Sequence, residues 1–209
     1  METEKKSEET LRKLEELSNR PNDWAKKLKN FVPTGIIENA EIIRSKHLYF
    51  PFRTKGGDLK ETLVITEISY AWQLLEFYDW FFENIRTDLV VNKMLIKQAI
   101  VAVGSVTEAL MITFLKKLKR ASLIERDLKK IKFKGALETL KNKGIIQQQL
   151  YENLDELRQV RDYIHIHLSI ESNKNSYSES DYFNHRITLE SLSKAINDYC
   201  ITLNDSIIR

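Results

Sequence analysis

The sequence predicts an all-α fold: a bundle of four or five main helices behind a helical N-terminal extension. Three observations carry this reading. Gly and Pro are scarce, six and three in 209 residues, which disfavours a turn-rich β fold. Leu, Ile, Lys and Glu are abundant, and three of them are strong helix formers. Apolar residues recur at i, i+3, i+4 and i+7 through most of the chain, the period of a half-buried helix. The length suits one domain with a sizeable core plus an extension. The division is placed at residues 1–57 for the extension and 58–209 for the bundle.

Residues 1–20 read as a charged, exposed helix. Asn22 or Asp23 caps a short second one, DWAKKLKNF, after Pro21. TGIIENAEIIR (34–44) is a third. HLYFPFR (47–53) is broken by Pro51 and reads as an extended connector or edge strand. TKGGD (54–58) is a turn, and its glycines lack the spacing of a phosphate loop. A long aromatic helix runs from Leu59 to about Ile85. Bases could stack on its row of Tyr70, Trp72, Phe77, Tyr78, Trp80, Phe81 and Phe82, but large aromatics favour core packing. The next helix spans about 90–119, with Ile96, Ile100, Val103, Leu110, Phe114 and Leu118 on one face. Two shorter helical segments follow at 122–130 and 134–143, the second ended by Gly144 as a left-handed cap. A helix from about Gln147 to 167 comes next. Residues 169–185 are polar and Ser/Asn-rich, so a loop is expected there. Thr188 is expected to cap a final helix, docked by Leu192, Ile196, Tyr199 and Leu203.

Composition also narrows the function classes. Cys200 is the single cysteine, so no disulfide framework forms within one chain and a reducing, cytoplasmic setting is expected. The charged start METEKKSEET is no secretory signal. The most apolar stretch, 99–115, carries Glu108 in its middle and reads as a buried helix, not a membrane span. Net charge is only +3, but nine Lys or Arg lie between Lys116 and Lys134 against Glu125 and Asp127. Lys116, Lys117, Lys119, Arg120, Lys129 and Lys130 are therefore candidate RNA contacts. A solvated helix junction explains the same run equally well.

The most unusual stretch is RQVRDYIHIHL, residues 158–168. On an ideal helix at about 100° per residue, Leu150, Leu154, Leu157, Val160, Ile164 and Leu168 form one apolar stripe. Arg161 falls inside that stripe. Arg158 and His165 lie side by side on its edge with Asp162 just beyond, and His167 projects to the opposite edge. A guanidinium in a core position needs a carboxylate or a cleft. Glu108 is the other charge in a core-like segment, so an Arg161–Glu108 structural pair is one expectation.

The rest of the cluster suits RNA cleavage without a metal. A histidine titrating near neutral pH serves as general acid or base. Asp162 would orient the His165 ring, and Arg158 and Arg161 would hold a phosphate and offset its developing charge. The 2′-hydroxyl attacks its own phosphate, a base takes its proton and an acid protonates the leaving oxygen. Two proton-transfer groups are needed, which two copies of this helix across a homodimer would supply. His165 and His167 point apart, and no acidic or cysteine ligand completes a metal set beside them. Neither metal nor cofactor is expected.

At this point the sequence resembles the HEPN superfamily (higher eukaryotes and prokaryotes nucleotide-binding domain), over about residues 60–209. The resemblance rests on AVGSVTEALMITFLKKL, on ETLKNKGIIQQQLYENLDELRQVRD, and on RDYIHIH. The family's motif is an arginine, usually followed by Asn, Asp or His, with a histidine after four to six residues. Arg158 to His165 leaves six and Arg161 to His167 leaves five, so both assignments stand, with helix geometry favouring His165. The resemblance implies an antiparallel helical bundle, a homodimer with paired motifs, and metal-independent endoribonuclease activity of a toxin–antitoxin, abortive-infection or anti-phage system. It also implies a possible antitoxin or other defence partner. The tyrosine that often stands two residues after the histidine in toxins of the family is absent here, where His167 and Ser169 occupy those places. Residues 1–57 have no counterpart in the minimal domain. The alternative is a non-catalytic RNA- or protein-binding scaffold, since a fold does not fix a function.

Overall fold

The computed structural model describes residue 38 and residues 40–48, 59–128, 130–164 and 177–207. All regular structure among them is helical. The helices are α1 (Ala40–His47), α2 (Leu59–Asn84), α3 (Leu89–Arg120), α4 (Phe133–Asn142), α5 (Gln148–Ile164) and α6 (Glu179–Ile207). The all-α expectation therefore holds. The helices predicted within 1–33, the turn at 54–58 and all of the connector expected at 47–53 except His47 and Leu48 lie outside the described residues, and His47 is the last residue of α1 rather than part of a connector.

The core is built around α3. It packs against α2, α4, α5 and α6, and Ile96, Ile100, Val103, Leu110, Phe114 and Leu118 are all buried. These are the residues whose spacing defined its inner face. By length and composition α3 could cross a membrane, but 61% of its apolar window is buried against the other helices. Asp88 starts it, accepting a hydrogen bond from the Val90 N–H at 2.9 Å, one of the orphan donors of a first turn. The link 85–88 from α2 is four residues long, which places α2 and α3 as direct neighbours.

The aromatic helix α2 serves the core. Trp72, Trp80 and Phe82 are buried, while Tyr70 is 55% exposed. Phe82 and Tyr182 meet edge to face at 5.1 Å between ring centres, a favourable aromatic geometry. A continuous platform for stacked bases is not what this helix offers.

Three expectations need correction. No helix forms at 122–130 in the residues described there. Helix α3 ends with Ser122 at φ 57°, and the Leu123 N–H reaches back to the Leu118 carbonyl. Beyond it, side chains fix the strap: Arg126 donates to the Gly135 carbonyl and the Thr139 hydroxyl. Ile124 and Leu128 are buried at helical spacing without a helix. The same reversal at the end of α4 uses Gly144, φ 68°, as expected.

The second correction concerns residues 169–185. Helix α6 begins at Glu179, so the last part of that segment is helical and Thr188 lies inside the helix. The cap is Ser178 with Asp181. The Ser178 Oγ accepts from the Asp181 N–H, and Asp181 Oδ2 accepts from the Ser178 N–H. This reciprocal pair satisfies two groups that a helix start leaves unpaired. Thr188 instead donates its hydroxyl to the Asn184 carbonyl one turn earlier.

The third concerns α1. Its residues lie within the segment 1–57 read as an extension, yet α1 packs on α2 and α6. The compact unit that holds all six helices starts at Glu38.

Candidate functional site

Helix α5 carries the charged cluster to its last described residue, Ile164. Leu154 and Leu157 are buried, and Leu150, Val160 and Ile164 pack partly buried against the core. This is the stripe the sequence defines, except for Leu168, which lies outside the described residues, as do His165 and His167.

Arg161 is the charge within that stripe. Its Nη1 donates to Glu108 Oε2 of α3 at 2.7 Å. The expected structural pair is present, and each side chain keeps about a fifth of its surface exposed. The other oxygen, Glu108 Oε1, accepts the Phe133 N–H at the first residue of α4. One carboxylate therefore ties three helices: it pairs with α5 and satisfies an orphan donor of α4. The Arg161 guanidinium also stands 5.7 Å from the Phe133 ring centre, within cation–π range.

The route of the Arg161 side chain depends on Gly104. A Cβ placed there would meet Arg161 Cδ at 2.7 Å and Cγ at 3.3 Å. The aliphatic stem thus crosses α3 where α3 has no side chain. Gly104 and Glu108 are one turn apart on the same face, so the glycine opens the path that ends on the carboxylate.

Arg158 takes a different course. Its Nε donates to Asp155 Oδ1 at 2.7 Å and its Nη1 to Asp162 Oδ2 at 3.3 Å. Gln159 donates to the other Asp155 oxygen. The hydrogen bond from Arg158 holds the Asp155 carboxyl below its ordinary range. Asp162 was expected to orient His165. Its carboxylate meets Arg158, and His165 lies outside the described residues. Of the predicted catalytic set, Arg158 and Asp162 are brought together, and Arg161 is directed to a separate partner.

The predicted RNA contacts divide as well. Lys116, Lys119, Arg120 and Lys130 are exposed. Lys117 is only 8% exposed and lies near Cys200, so it is not a surface contact. Its position on the inner face of α3 explains this, since Thr113, Phe114 and Leu118 around it are buried too. Burial pushes the Cys200 thiol up to about 11, with the Lys117 charge opposing. Lys129 lies outside the described residues.

Two features escaped the sequence reading. The first is a buried polar cluster joining α1, α2 and α6. Arg186 donates its Nε to Asp79 Oδ2 at 3.2 Å, and its guanidinium stands 4.9 Å from the Trp72 ring centre. The Tyr182 hydroxyl lies 2.6 Å from Asp79 Oδ1 and 3.0 Å from the Leu75 carbonyl. His47 stacks on Trp72 at 4.3 Å. Burial, with the Arg186 charge next, lowers the His47 imidazole to about 4. The Trp72 Nε1 is buried without a hydrogen-bond acceptor among the described residues, and Arg186 Nη1 forms an ion pair with Glu190 Oε1 at 3.2 Å. The second is a cavity between α5 and α6 of about 330 Å³. Apolar periodicity within single helices gives no hint of either, because each is assembled from polar residues of different helices.

No three His, Cys, Asp or Glu side chains among the described residues are placed to share a metal ion. In comparisons with known proteins the chain matches no family model, no curated protein and no solved structure.

Proposed function

We propose that the chain is a metal-independent endoribonuclease of a toxin–antitoxin, abortive-infection or anti-phage system, acting in the cytoplasm as a homodimer. The observation that carries this reading is the fixation of the last turns of α5. Arg161 is pinned to Glu108 across Gly104, and Arg158 is held on the adjoining flank by Asp155 and Asp162. A composite site needs its groups held within about half an ångström of the productive geometry. The anchored helix precedes the RDYIHIH histidines in sequence, which supports this reading.

Roles follow from the chemistry. Arg158 contacts the scissile phosphate through its second terminal nitrogen, for which no acceptor exists among the described residues. Arg161 positions the helix. His165, or His167 in the alternative register, moves protons between the 2′-hydroxyl and the leaving oxygen. The second histidine comes from the partner copy.

The test is cleavage of RNA by the purified full chain in EDTA. The His165→Ala/His167→Ala double variant should lose activity while retaining the helical circular dichroism of the parent. Undiminished cleavage by that variant sinks the assignment. A second reading has its own support: three carboxylates, Glu108, Asp155 and Asp162, face the two guanidiniums. Such neutralisation weakens attraction for a polyanion at this flank and favours a non-catalytic scaffold. RNA binding with a steep salt dependence and no cleavage would identify that module.

A further inference from the structure

The cavity between α5 and α6 has a definite chemical character. Asn153 and Glu156 come from α5, and Asp181, Asn184, His185 and Thr188 from α6. His185 is only 7% exposed, and among the described residues no group hydrogen-bonds its ring.

The Asn153 and Asn184 amides can donate as well as accept, but the only charged side chains in the lining are the carboxylates of Glu156 and Asp181. Thr188 commits its hydroxyl proton to the Asn184 carbonyl, leaving the oxygen to accept. Asp181 uses Oδ2 on Ser178 and keeps Oδ1. Glu156 is exposed on its helix and makes no hydrogen bond among the described residues. No Lys or Arg lines the cavity. Burial keeps the His185 imidazole below its ordinary range, so the neutral ring adds one more acceptor nitrogen. Two carboxylates, a neutral imidazole and a hydroxyl oxygen repel an anion and suit a donor-rich cation. At about 330 Å³ the space stands at the small end of ligand sites.

We propose that this α5–α6 cavity binds a small organic cation, an amine or guanidine of diamine size, held by the Glu156 and Asp181 carboxylates and hydrogen-bonded to His185. This site is distinct from the RDYIHIH motif and does not depend on ribonuclease activity. Glu156 and the motif arginines share α5, so an occupant also touches the helix that carries them.

The experiment is NMR titration of the full chain labelled in histidine, with putrescine and agmatine as probes and butyrate as an anion of similar size. The His185 signals are assigned by their loss in His185→Asn. Putrescine or agmatine should shift them saturably, and Glu156→Gln should weaken that binding about tenfold. Glu156 is exposed, so its replacement leaves the fold intact, which a thermal melt verifies. Absence of a saturable shift overturns the proposal. So does equal response to butyrate, or unchanged affinity in Glu156→Gln.

Discussion

Two arginines anchor this bundle, and they do so differently. Arg161 reaches across Gly104 to a carboxylate that also starts α4, and the pair stays about a fifth exposed. Arg186 lies deeper, its side chain 8% exposed, between Asp79, Glu190 and the Trp72 ring. Water still reaches the first pair and screens it; the second depends on its protein partners. The difference teaches that a charge in an apolar stripe can have two unlike meanings. At Arg186 it is a structural knot of α1, α2 and α6. At Arg161 it is a tether that fixes a surface helix end, where chemistry is proposed.

The sharpest way to break this comparison is to remove one carboxylate from each side. Asp79→Ala leaves Arg186 buried without its main partner and deprives the Tyr182 hydroxyl of an acceptor. Stability should fall by about 3–5 kcal/mol, the usual cost of orphaning a buried charge. Glu108→Gln keeps an oxygen for the Phe133 N–H and loses only the charge on Arg161, so the loss should be about 1–2 kcal/mol. Urea unfolding midpoints measure both. Equal losses would show that the two arginines are buried alike.

The two sites were unequally legible. Arg161 stood out because its neighbours Leu154, Leu157, Val160 and Ile164 define a helical stripe that it interrupts. Glu108 stood out within 99–115 for the same reason, and their pairing followed from charge alone. Gly104 was not singled out, because a small residue inside an apolar helix reads as ordinary core. Arg186 was hidden by a local error. The polar run 169–185 reads as a loop in the sequence, which puts the helix start at Thr188 and leaves Arg186 outside any face. The Ser178–Asp181 spacing carries the capping signal, but the surrounding Ser and Asn content masks it. Asp79 and His47 could not be assigned to the same knot, since 107 residues separate Asp79 from Arg186 and no local period links them.

A middle-sized effect comes from acid, and it acts on the Arg186 side. The fold keeps the His47 imidazole neutral down to about 4, against 6.5 in an ordinary setting. As pH falls through 6.5 the unfolded chain takes up a proton that the folded chain refuses. Stability therefore drops progressively between about 6.5 and 4. The full difference corresponds to about 3 kcal/mol, and the partial exposure of His47 reduces the expectation to about 1–2 kcal/mol. His185, lowered by burial as well, pushes the same way. His47→Gln should flatten this acid limb in urea unfolding at pH 7.5 and pH 5. A slope unchanged by His47→Gln would place the acid sensitivity outside the Trp72 knot.

The smallest effect separates the tether from ordinary helix packing. Glycine inside a helix is about 1 kcal/mol less favourable than alanine. Gly104→Ala should therefore stabilise α3 wherever the added methyl has room. In the parent it has none, because Arg161 Cδ stands 2.7 Å from that position and the guanidinium is committed to Glu108. The methyl must displace the stem and loosen the ion pair, so Gly104→Ala should destabilise the parent by about 1 kcal/mol. In an Arg161→Ala background the obstacle is gone, and the same substitution should stabilise by up to about 1 kcal/mol. The change of sign is the coupling between glycine and arginine, read directly from a double-mutant cycle. An effect of one sign and size in both backgrounds would mean that the Arg161 stem does not need the gap. Arg161 would then resemble Arg186, a charge held by its partners with no gap in a facing helix required.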